Sequence, residues 1–191
     1  MMPMLEAYGA RVTFYLSDLD KIGPRGWQQL HDMRAAGHTI AFHGLHHLRA
    51  GPTVRDEGCE AYLNRDIFEG LSILADHGFD NVRHFSYPYG NRNDMSDVCL
   101  FAHFDTLRTG GRMLHTPESI RSARLLNALN YGKFREREFC GHEPLLHATA
   151  RDKKIVCFYM HKPIEHRLKY MFEYGKSHGV RFYPMGVLNR E

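Results

Sequence analysis

The sequence has no hydrophobic run longer than a β-strand, whereas a membrane-spanning helix needs about 20 mostly apolar residues. It also lacks a cluster of lysine and arginine residues, and its net charge is only +3 with histidine counted as neutral. We therefore expect no membrane span and no nucleic-acid partner. Residues 1–9 lack the basic start and the long apolar core of a signal peptide, so the default expectation is a cytoplasmic protein.

Cysteine is scarce, and no two cysteines are close together. The four cysteines, Cys59, Cys99, Cys140 and Cys157, include no C-x-x-C pair. In a chain of 191 residues this pattern argues against a disulfide framework and against a zinc site built from cysteine. Cys99 and Cys157 lie in apolar segments, and we expect both to be buried thiols.

Histidine, in contrast, is abundant, with 14 residues. His43 and His47 are four residues apart and directly follow Thr39–Phe42, an apolar stretch that predicts a buried strand. Gly44 lets the backbone turn sharply after the strand. Two imidazoles from one short segment are a common way to hold a divalent metal, above all zinc. Chance also places histidines four apart in a histidine-rich chain, so the spacing alone leaves both interpretations open.

Apolar segments of strand and helix period alternate along most of the chain, which predicts one α/β domain with a parallel sheet. Residues 110–154 show the weakest helix and strand periods, and we expect short helices near 120–128 and 136–148. The N-terminal residues 4–8 resemble the end of a helix. The other predicted strands are 11–16, 39–42, 81–87, 104–109, 155–160 and 180–183, and the other predicted helices are 24–36, 55–76, 95–103 and 164–177.

The carboxyl ends of the predicted strands carry chemically useful residues. Parallel α/β folds place their working groups at these ends, so the pattern predicts an active site there. Asp18 follows the first strand and suits either a metal ligand or, as we favour, a helix cap. The remaining ends carry His43 with His47 just beyond it, the turn Tyr87-Pro88-Tyr89-Gly90, Thr109 and His161.

Two of these ends have further expected roles. His161 is of the right type for a general acid, because its ordinary pKa lies near neutrality, although a structural histidine at a strand end is an equal alternative. Backbone N–H groups after Pro88 are placed to face a developing oxyanion. Tyr87 and Tyr89 offer flat surfaces for a sugar ring, and Gly90 completes the turn.

Three of these motifs, in this order, resemble those of the polysaccharide deacetylases, the NodB-homology domain or carbohydrate esterase family 4. His43-Gly-Leu-His-His47 resembles the metal-binding H-[S/T]-x-x-H motif, with Gly44 in the Ser/Thr place. Phe85-Ser-Tyr-Pro-Tyr-Gly90 resembles the R-x-P-Y-G groove motif. Tyr159-Met-His161 resembles the late L-x-H motif that carries the general acid. The resemblance implies a distorted (β/α) barrel over residues 1–191 and divalent-metal hydrolysis of acetyl groups on a carbohydrate or polysaccharide.

The departures from the family pattern are equally specific. The first motif, T-F-D-D-G, which supplies the catalytic base and a third metal ligand, is absent, and Ser86 stands in place of the groove arginine. The D-x-x-D-W motif also has no clear counterpart, and Asp105 and Asp152 are its candidate substitutes. The resemblance therefore implies a barrel without its first strand, with two metal ligands and an acid but no base. We expect the missing aspartate pair to be encoded upstream.

Three interpretations follow from the sequence. The first is a zinc-dependent deacetylase that acts on an acetylated sugar, inert as given because the base is missing. The second is a catalytically inactive carbohydrate-binding or scaffold module on the same fold. The third is a zinc hydrolase whose acidic ligand comes from Asp18 or from residues 110–154. An uncovered sheet edge would make a homodimer plausible.

Overall fold

The computed structural model describes residues 1–111, 113–131 and 143–187. Cys140 and the first part of the helix expected at 136–148 lie outside the described residues. Within them, no helix combines the length and the apolar character needed to cross a membrane.

A seven-stranded, mostly parallel sheet forms the centre of the fold and confirms the α/β prediction. Its strand order is β1-β2-β3-β4-β6-β7-β5, and only β5, which pairs with β7, is antiparallel. Parallel strands direct their carboxyl ends to one edge of the sheet, so the candidate residues converge there. The strands are β1 (Thr13–Leu16), β2 (Thr39–Phe42), β3 (His84–Ser86), β4 (Thr106–Gly110), β5 (Leu114–His115), β6 (Leu125–Asn130) and β7 (Ile155–Tyr159).

Helices connect and cover the strands. Their bounds are α1 (Met2–Ala7), α2 (Pro24–Ala35), α3 (Ala50–Glu57), α4 (Cys59–Tyr62), α5 (Glu69–Asp76), α6 (Asp94–Phe101), α7 (Pro117–Ala123), α8 (Glu143–Arg151) and α9 (Glu165–Ser177). A π-helical turn at Leu63–Phe68 joins α4 to α5, and short 3₁₀ turns lie at Leu19–Lys21, Pro88–Gly90 and Met185–Val187.

Three sequence-based predictions of elements were wrong. The single helix expected at 55–76 is interrupted at Gly58, whose φ of +90° is outside the helical region. The helix expected near 120–128 ends at Ala123, and residues 125–130 form β6 because Leu126 and Ala128 alternate inward with period two. Residues 180–183 are irregular, and their backbone contact with the β1 side is one hydrogen bond from Arg11 N to Phe182 O (3.1 Å).

The expectation of a buried thiol at Cys99 was also wrong, because Cys99 is disulfide-bonded to Cys59. These residues form a disulfide that joins α4 to α6, with their Cα atoms 5.9 Å apart. The two cysteines are 40 residues apart in sequence, so no local spacing pattern indicated the pairing. Cys157 is free and half-buried.

The main core lies between the sheet and helices α2–α6, and it supports the end of β2. Phe42 and Phe85 are fully buried there, with ring centroids 6.1 Å apart. A Cβ atom at Gly70 of α5 would overlap the Phe42 ring, so glycine allows α5 to approach β2 closely. A second cluster packs α1 against α9, with Leu5 and Phe172 buried in it. The first cluster fixes the position of the residues directly after Phe42.

Candidate active site

His43 and His47 converge at the carboxyl end of β2, as the spacing predicted. Their Nε2 atoms are 3.1 Å apart, and their rings meet at 77° with centroids separated by 4.7 Å. His47 has a φ of +55°, and this left-handed backbone turns its side chain back toward the strand. Both side chains are half-buried at the same edge of the sheet.

The orientation of His43 is set by Ser86 at the end of the neighbouring strand. Nδ1 of His43 is 2.7 Å from the backbone oxygen of Ser86 and 2.6 Å from its hydroxyl oxygen. A carbonyl oxygen can only accept, so Nδ1 carries the proton and Nε2 presents its lone pair. Burial is the main reason that the pKa of His43 is lowered to about 4, which keeps the ring neutral near pH 7. A neutral imidazole held in this way is the form that binds a metal.

Asp66, which the sequence analysis did not identify, holds the loop between the two histidines. It lies in the π-helical turn, is fully buried, and accepts a hydrogen bond from the backbone N–H of His46 (2.7 Å). Its own backbone oxygen accepts from the N–H of Leu45 (3.1 Å). Burial raises the pKa of the Asp66 carboxyl. π-Helical turns are frequent at functional sites, but no spacing rule connects position 66 to the histidines.

The histidine pair fits a zinc ion as two of its ligands. Two nitrogens at about 2.0–2.1 Å from a tetrahedral zinc would be separated by about 3.3 Å, and the observed separation of 3.1 Å is close to this value. Across the described residues, no third histidine, cysteine, aspartate or glutamate joins them in a ready-made metal cluster. The pair therefore has the separation expected of two ligands of one metal ion, without a third ligand in place among the described residues.

Asp18 does not cap the following 3₁₀ turn, which corrects the preferred sequence interpretation. Its side chain accepts no capping hydrogen bond and instead pairs with Lys21. Burial chiefly lowers the pKa of His47, while the negative charge of Asp18 acts in the opposite direction. Asp18 is thus an acidic group near His47, which keeps open its interpretation as a ligand.

His161 follows β7 at the same edge of the sheet, and its side chain is exposed. Its ring centroid is 5.7 Å from that of Tyr159. The charge of a protonated His161 would lower the pKa of both His43 and His47, so the three histidines are close enough to interact electrostatically. The structure therefore brings together the three histidines that the sequence singled out.

The turn at residues 87–90 exposes Tyr89 to solvent and buries Tyr87. Tyr87 is only 1% exposed and donates a hydrogen bond to Asp97 (2.7 Å), so its ring belongs to the core and is not a surface for a sugar. Pro88 is buried beside it. Tyr89 is 64% exposed, and its ring centroid is 4.6 Å from that of His47. The oxygen of Gly90 accepts from Thr109 Oγ1 (2.9 Å) and ties the turn to β4.

Asp105 and Asp152, the candidate substitutes for the absent D-x-x-D-W motif, lie at the edge of the sheet opposite the histidines. Asp105 immediately precedes β4 and pairs with Arg83. Asp152 precedes β7 and pairs with Arg151. Because the strands are parallel, residues before a strand lie at the edge opposite the histidines. Neither carboxylate can therefore serve at the histidine site.

Comparison with known proteins gives one family match. Residues 1–100, more than half of the 191-residue chain, match the family model described as polysaccharide deacetylase. The matched range includes His43, His47 and the turn at 87–90, while His161 lies beyond it. No curated protein matches the chain.

Several solved structures share the fold over 98% of this chain. The Xyl-CE4 domain of a multidomain xylanase from the hindgut metagenome of Trinervitermes trinervoides has a TM-score of 0.61 and 14% identity, with 80% of that chain covered. The catalytic domain of a peptidoglycan N-acetylglucosamine deacetylase from Eubacterium rectale has a TM-score of 0.55 and 14% identity, with 82% covered. A CE4 family pseudoenzyme from Bacillus anthracis has a TM-score of 0.59 and 16% identity, with 58% covered.

These likenesses agree on the fold, and the family match rests on the sequence itself. The structures show a mixed α/β architecture of the NodB type with a mostly parallel sheet. The family model covers the histidine pair on β2 and the groove turn after β3. The chain therefore belongs to the polysaccharide deacetylase family.

Proposed function

We propose that this protein catalyses the metal-dependent removal of acetyl groups from a carbohydrate. The observation that carries the proposal is the pair of Nε2 atoms, 3.1 Å apart, at the carboxyl end of β2. Ser86 holds the proton of His43 on Nδ1 and leaves Nε2 free to bind a metal. A hydrogen bond from the other ring nitrogen to a backbone oxygen is typical of metal-binding histidines.

His43 and His47 would hold the metal, for which zinc is the best candidate. Zinc bound there would polarise the acetyl carbonyl and lower the pKa of a bound water. His161 would protonate the leaving nitrogen or oxygen of the sugar as the general acid. The exposed ring of Tyr89 next to His47 would pack against a sugar ring near the reacting group.

A carbohydrate substrate is supported by the family and by what related structures are called. One is named as part of a xylanase and another as a peptidoglycan N-acetylglucosamine deacetylase. Acetylated xylan and N-acetylglucosamine oligomers are therefore the first substrates to test. Both present an acetyl group on a sugar ring, one as an ester and one as an amide.

A catalytically inactive carbohydrate-binding module is the second candidate. Among the described residues, no carboxylate hydrogen-bonds to His43 or His47, and the sequence lacks the motif that supplies the base in the family. The similar fold of a CE4 family pseudoenzyme gives this alternative a precedent, as does a mutant of that protein described as having restored enzymatic activity. This candidate predicts binding of the sugar without release of acetate.

The two candidates are distinguished by measuring acetate release and sugar binding on one zinc-loaded preparation. If the proposed function is correct for residues 1–191, zinc-loaded protein releases acetate from one of the two substrates, which would contradict the sequence-based expectation that this chain is inert without the aspartate pair. Protein treated with a chelator and the His43→Ala, His47→Ala double variant should both fall to the background rate. Calorimetric binding of the same oligosaccharide with no release above background would reject catalysis and favour the binding module.

A further inference from the structure

An exposed arginine without an ion-pair partner lies beside the candidate active site. Arg49 follows His47 by two positions and is the N-cap residue of α3, where its backbone oxygen accepts hydrogen bonds from the N–H (3.2 Å) and the hydroxyl (2.8 Å) of Thr53. Its side chain is exposed, and the ion pairs formed by the described residues do not include it. Arg55 on the same helix, in contrast, pairs with Asp56. The backbone of Arg49 is therefore fixed, while its charge is available to a ligand.

Tyr89 fixes the orientation of this guanidinium. Cζ of Arg49 lies 4.4 Å from the centroid of the Tyr89 ring, and the same centroid is 4.6 Å from that of the His47 ring. Tyr89 remains 64% exposed, so the stack lies at the surface and is accessible. Stacking restrains the plane of a guanidinium and leaves the N–H groups in that plane free to bind an anion. A positively charged donor is therefore held within one aromatic ring of a proposed metal ligand.

The charges around the site favour an anionic ligand. Asp18, whose charge acts on His47, is already paired with Lys21. Lys162, just beyond the carboxyl end of β7, is exposed and takes part in none of the ion pairs of the described residues. Unpaired charges of one sign around a site attract ligands of the opposite sign. Arg49 and Lys162 therefore give this edge of the sheet uncompensated positive charge.

We propose that Arg49 is a specificity-determining residue that selects acetylated glycans bearing an oxyanion, a carboxylate or a phosphate, on or next to the acetylated sugar. A guanidinium suits this role because it donates two parallel N–H bonds to two oxygens of such a group. Tyr89 would pack against one sugar while Arg49 binds the charged group beside it. The position of the acetylated sugar rests on the proposed function, whereas the contact with the oxyanion needs neither a metal nor catalysis.

The test compares two disaccharides that share N-acetylglucosamine and differ in charge. One joins it to glucuronate and the other to a second N-acetylglucosamine, and each is titrated into metal-free protein with a chelator present and followed by NMR. The parent should bind the acidic disaccharide about 3- to 10-fold more tightly, a range between those for an exposed ion pair and for a hydrogen bond to a charged group. This preference should shrink as salt is added. Arg49→Gln should lower the ratio of the two affinities to about one.

Two further variants control for charge and for geometry. Arg55→Gln removes an exposed arginine from the same helix and should keep the ratio of the parent. Arg49→Lys keeps the charge without the paired donors and should give an intermediate ratio. Glucuronate and glucose 6-phosphate, used as competitors, identify the source of the oxyanion. Stronger competition by the first supports a uronate in the glycan, and stronger competition by the second supports a phosphorylated sugar.

Binding and acetate release together separate the role of Arg49 from the proposed function. No preference of the parent for the acidic disaccharide, or the same ratio in the parent and Arg49→Gln, would overturn the role of Arg49 even if zinc-loaded protein releases acetate. A preference that depends on Arg49, in protein that releases no acetate, would support this role and reject catalysis. In preparations that do release acetate, kcat/KM should be higher for the acidic disaccharide in the parent, and Arg49→Gln should remove that difference.

Discussion

The carboxylate of Asp66 occupies the space that a side chain at Gly44 would need. A Cβ atom at position 44 would lie 2.5 Å from Oδ2 of Asp66, and the backbone there has a φ of +80°. Both facts require glycine in the place where the family motif carries serine or threonine. Asp66 therefore packs against the loop between His43 and His47 and accepts a hydrogen bond from the His46 N–H.

Gly44→Ala should lower the free energy of unfolding by about 1–3 kcal/mol and weaken zinc binding, because strain and overlap act together. Gly58→Ala is the matched control, since its φ is also positive (+90°) but a Cβ there meets nothing within 4 Å. Urea unfolding of both variants separates the cost of the positive φ, which they share, from the cost of the overlap with Asp66, which only Gly44→Ala has. Equal losses in the two variants would show that the overlap with Asp66 contributes nothing.

Zinc should bind weakly and depend on the histidine pair. Because the described residues offer two imidazoles without a third protein ligand in place, we expect less than one equivalent of zinc after dialysis. The His43→Ala, His47→Ala variant should retain none by elemental analysis. His166→Ala, which changes an exposed histidine on α9, is the control. Metal that persists in the double variant would place the site elsewhere.

His161→Ala should separate proton donation from metal binding. In preparations that release acetate, the rate should fall by about 10²–10⁴, the usual contribution of a general acid. Zinc content should not change, because the described geometry gives His161 electrostatic proximity to the pair and no direct contact. Loss of zinc together with activity would make His161 a metal ligand.

The buried His84 should make the fold sensitive to acid. Burial lowers the pKa of His84, with the Asp105 charge acting in the opposite direction. Since the folded pKa lies below the unfolded value of about 6.5, the unfolded chain takes up the proton first as the pH falls. The contribution to stability is complete above that value and is lost as the pH drops toward the folded pKa.

The corresponding experiment compares urea midpoints of the parent and His84→Gln near neutral pH and near pH 5. The variant should lose less stability on acidification, by about 1.4 kcal/mol for each unit by which burial lowers the pKa. Identical pH dependence in the two proteins would show that His84 does not contribute.

Reduction of the Cys59–Cys99 disulfide should destabilise the fold. The bond closes a loop with a sequence separation of 40, for which loop-closure entropy gives roughly 4 kcal/mol at room temperature. Cys59→Ala, Cys99→Ala should therefore unfold at a lower urea concentration than the parent, and a reductant should not affect it further. Cys157→Ala, which removes the free thiol, controls for loss of a cysteine without loss of a crosslink.

Sequence patterns correctly predicted the helices and strands whose hydrophobic pattern is clear within a single segment. The strand Thr39–Phe42 was confirmed over its whole length, and α2 was predicted to within one residue of its end at Ala35. The helix has a clear hydrophobic period, the strand is a short continuous apolar run, and a glycine lies within two residues of the end of each. The segment 125–130 was assigned to the wrong class because short apolar runs suit either a helix or a strand, and its pairing with β4 and β7 decided the outcome.

The long-range features of the site could not be read from spacing. Asp66 reaches the loop from 20 positions away along the chain. Arg108 lies opposite Ser86 only because of the register of β3 and β4, and from there its charge helps to lower the pKa of His43. The histidines were predictable because strand ends share one edge in a parallel sheet. The groups that orient them depend on packing between elements, which no motif records.

The Cys59–Cys99 disulfide also has a consequence for the redox conditions that favour this fold. Glutathione and thioredoxin keep thiols reduced in the cytosol, whereas such bonds persist in secreted and periplasmic proteins. We therefore expect the protein to fold and act under oxidising conditions, in contrast to the cytoplasmic default suggested by sequence.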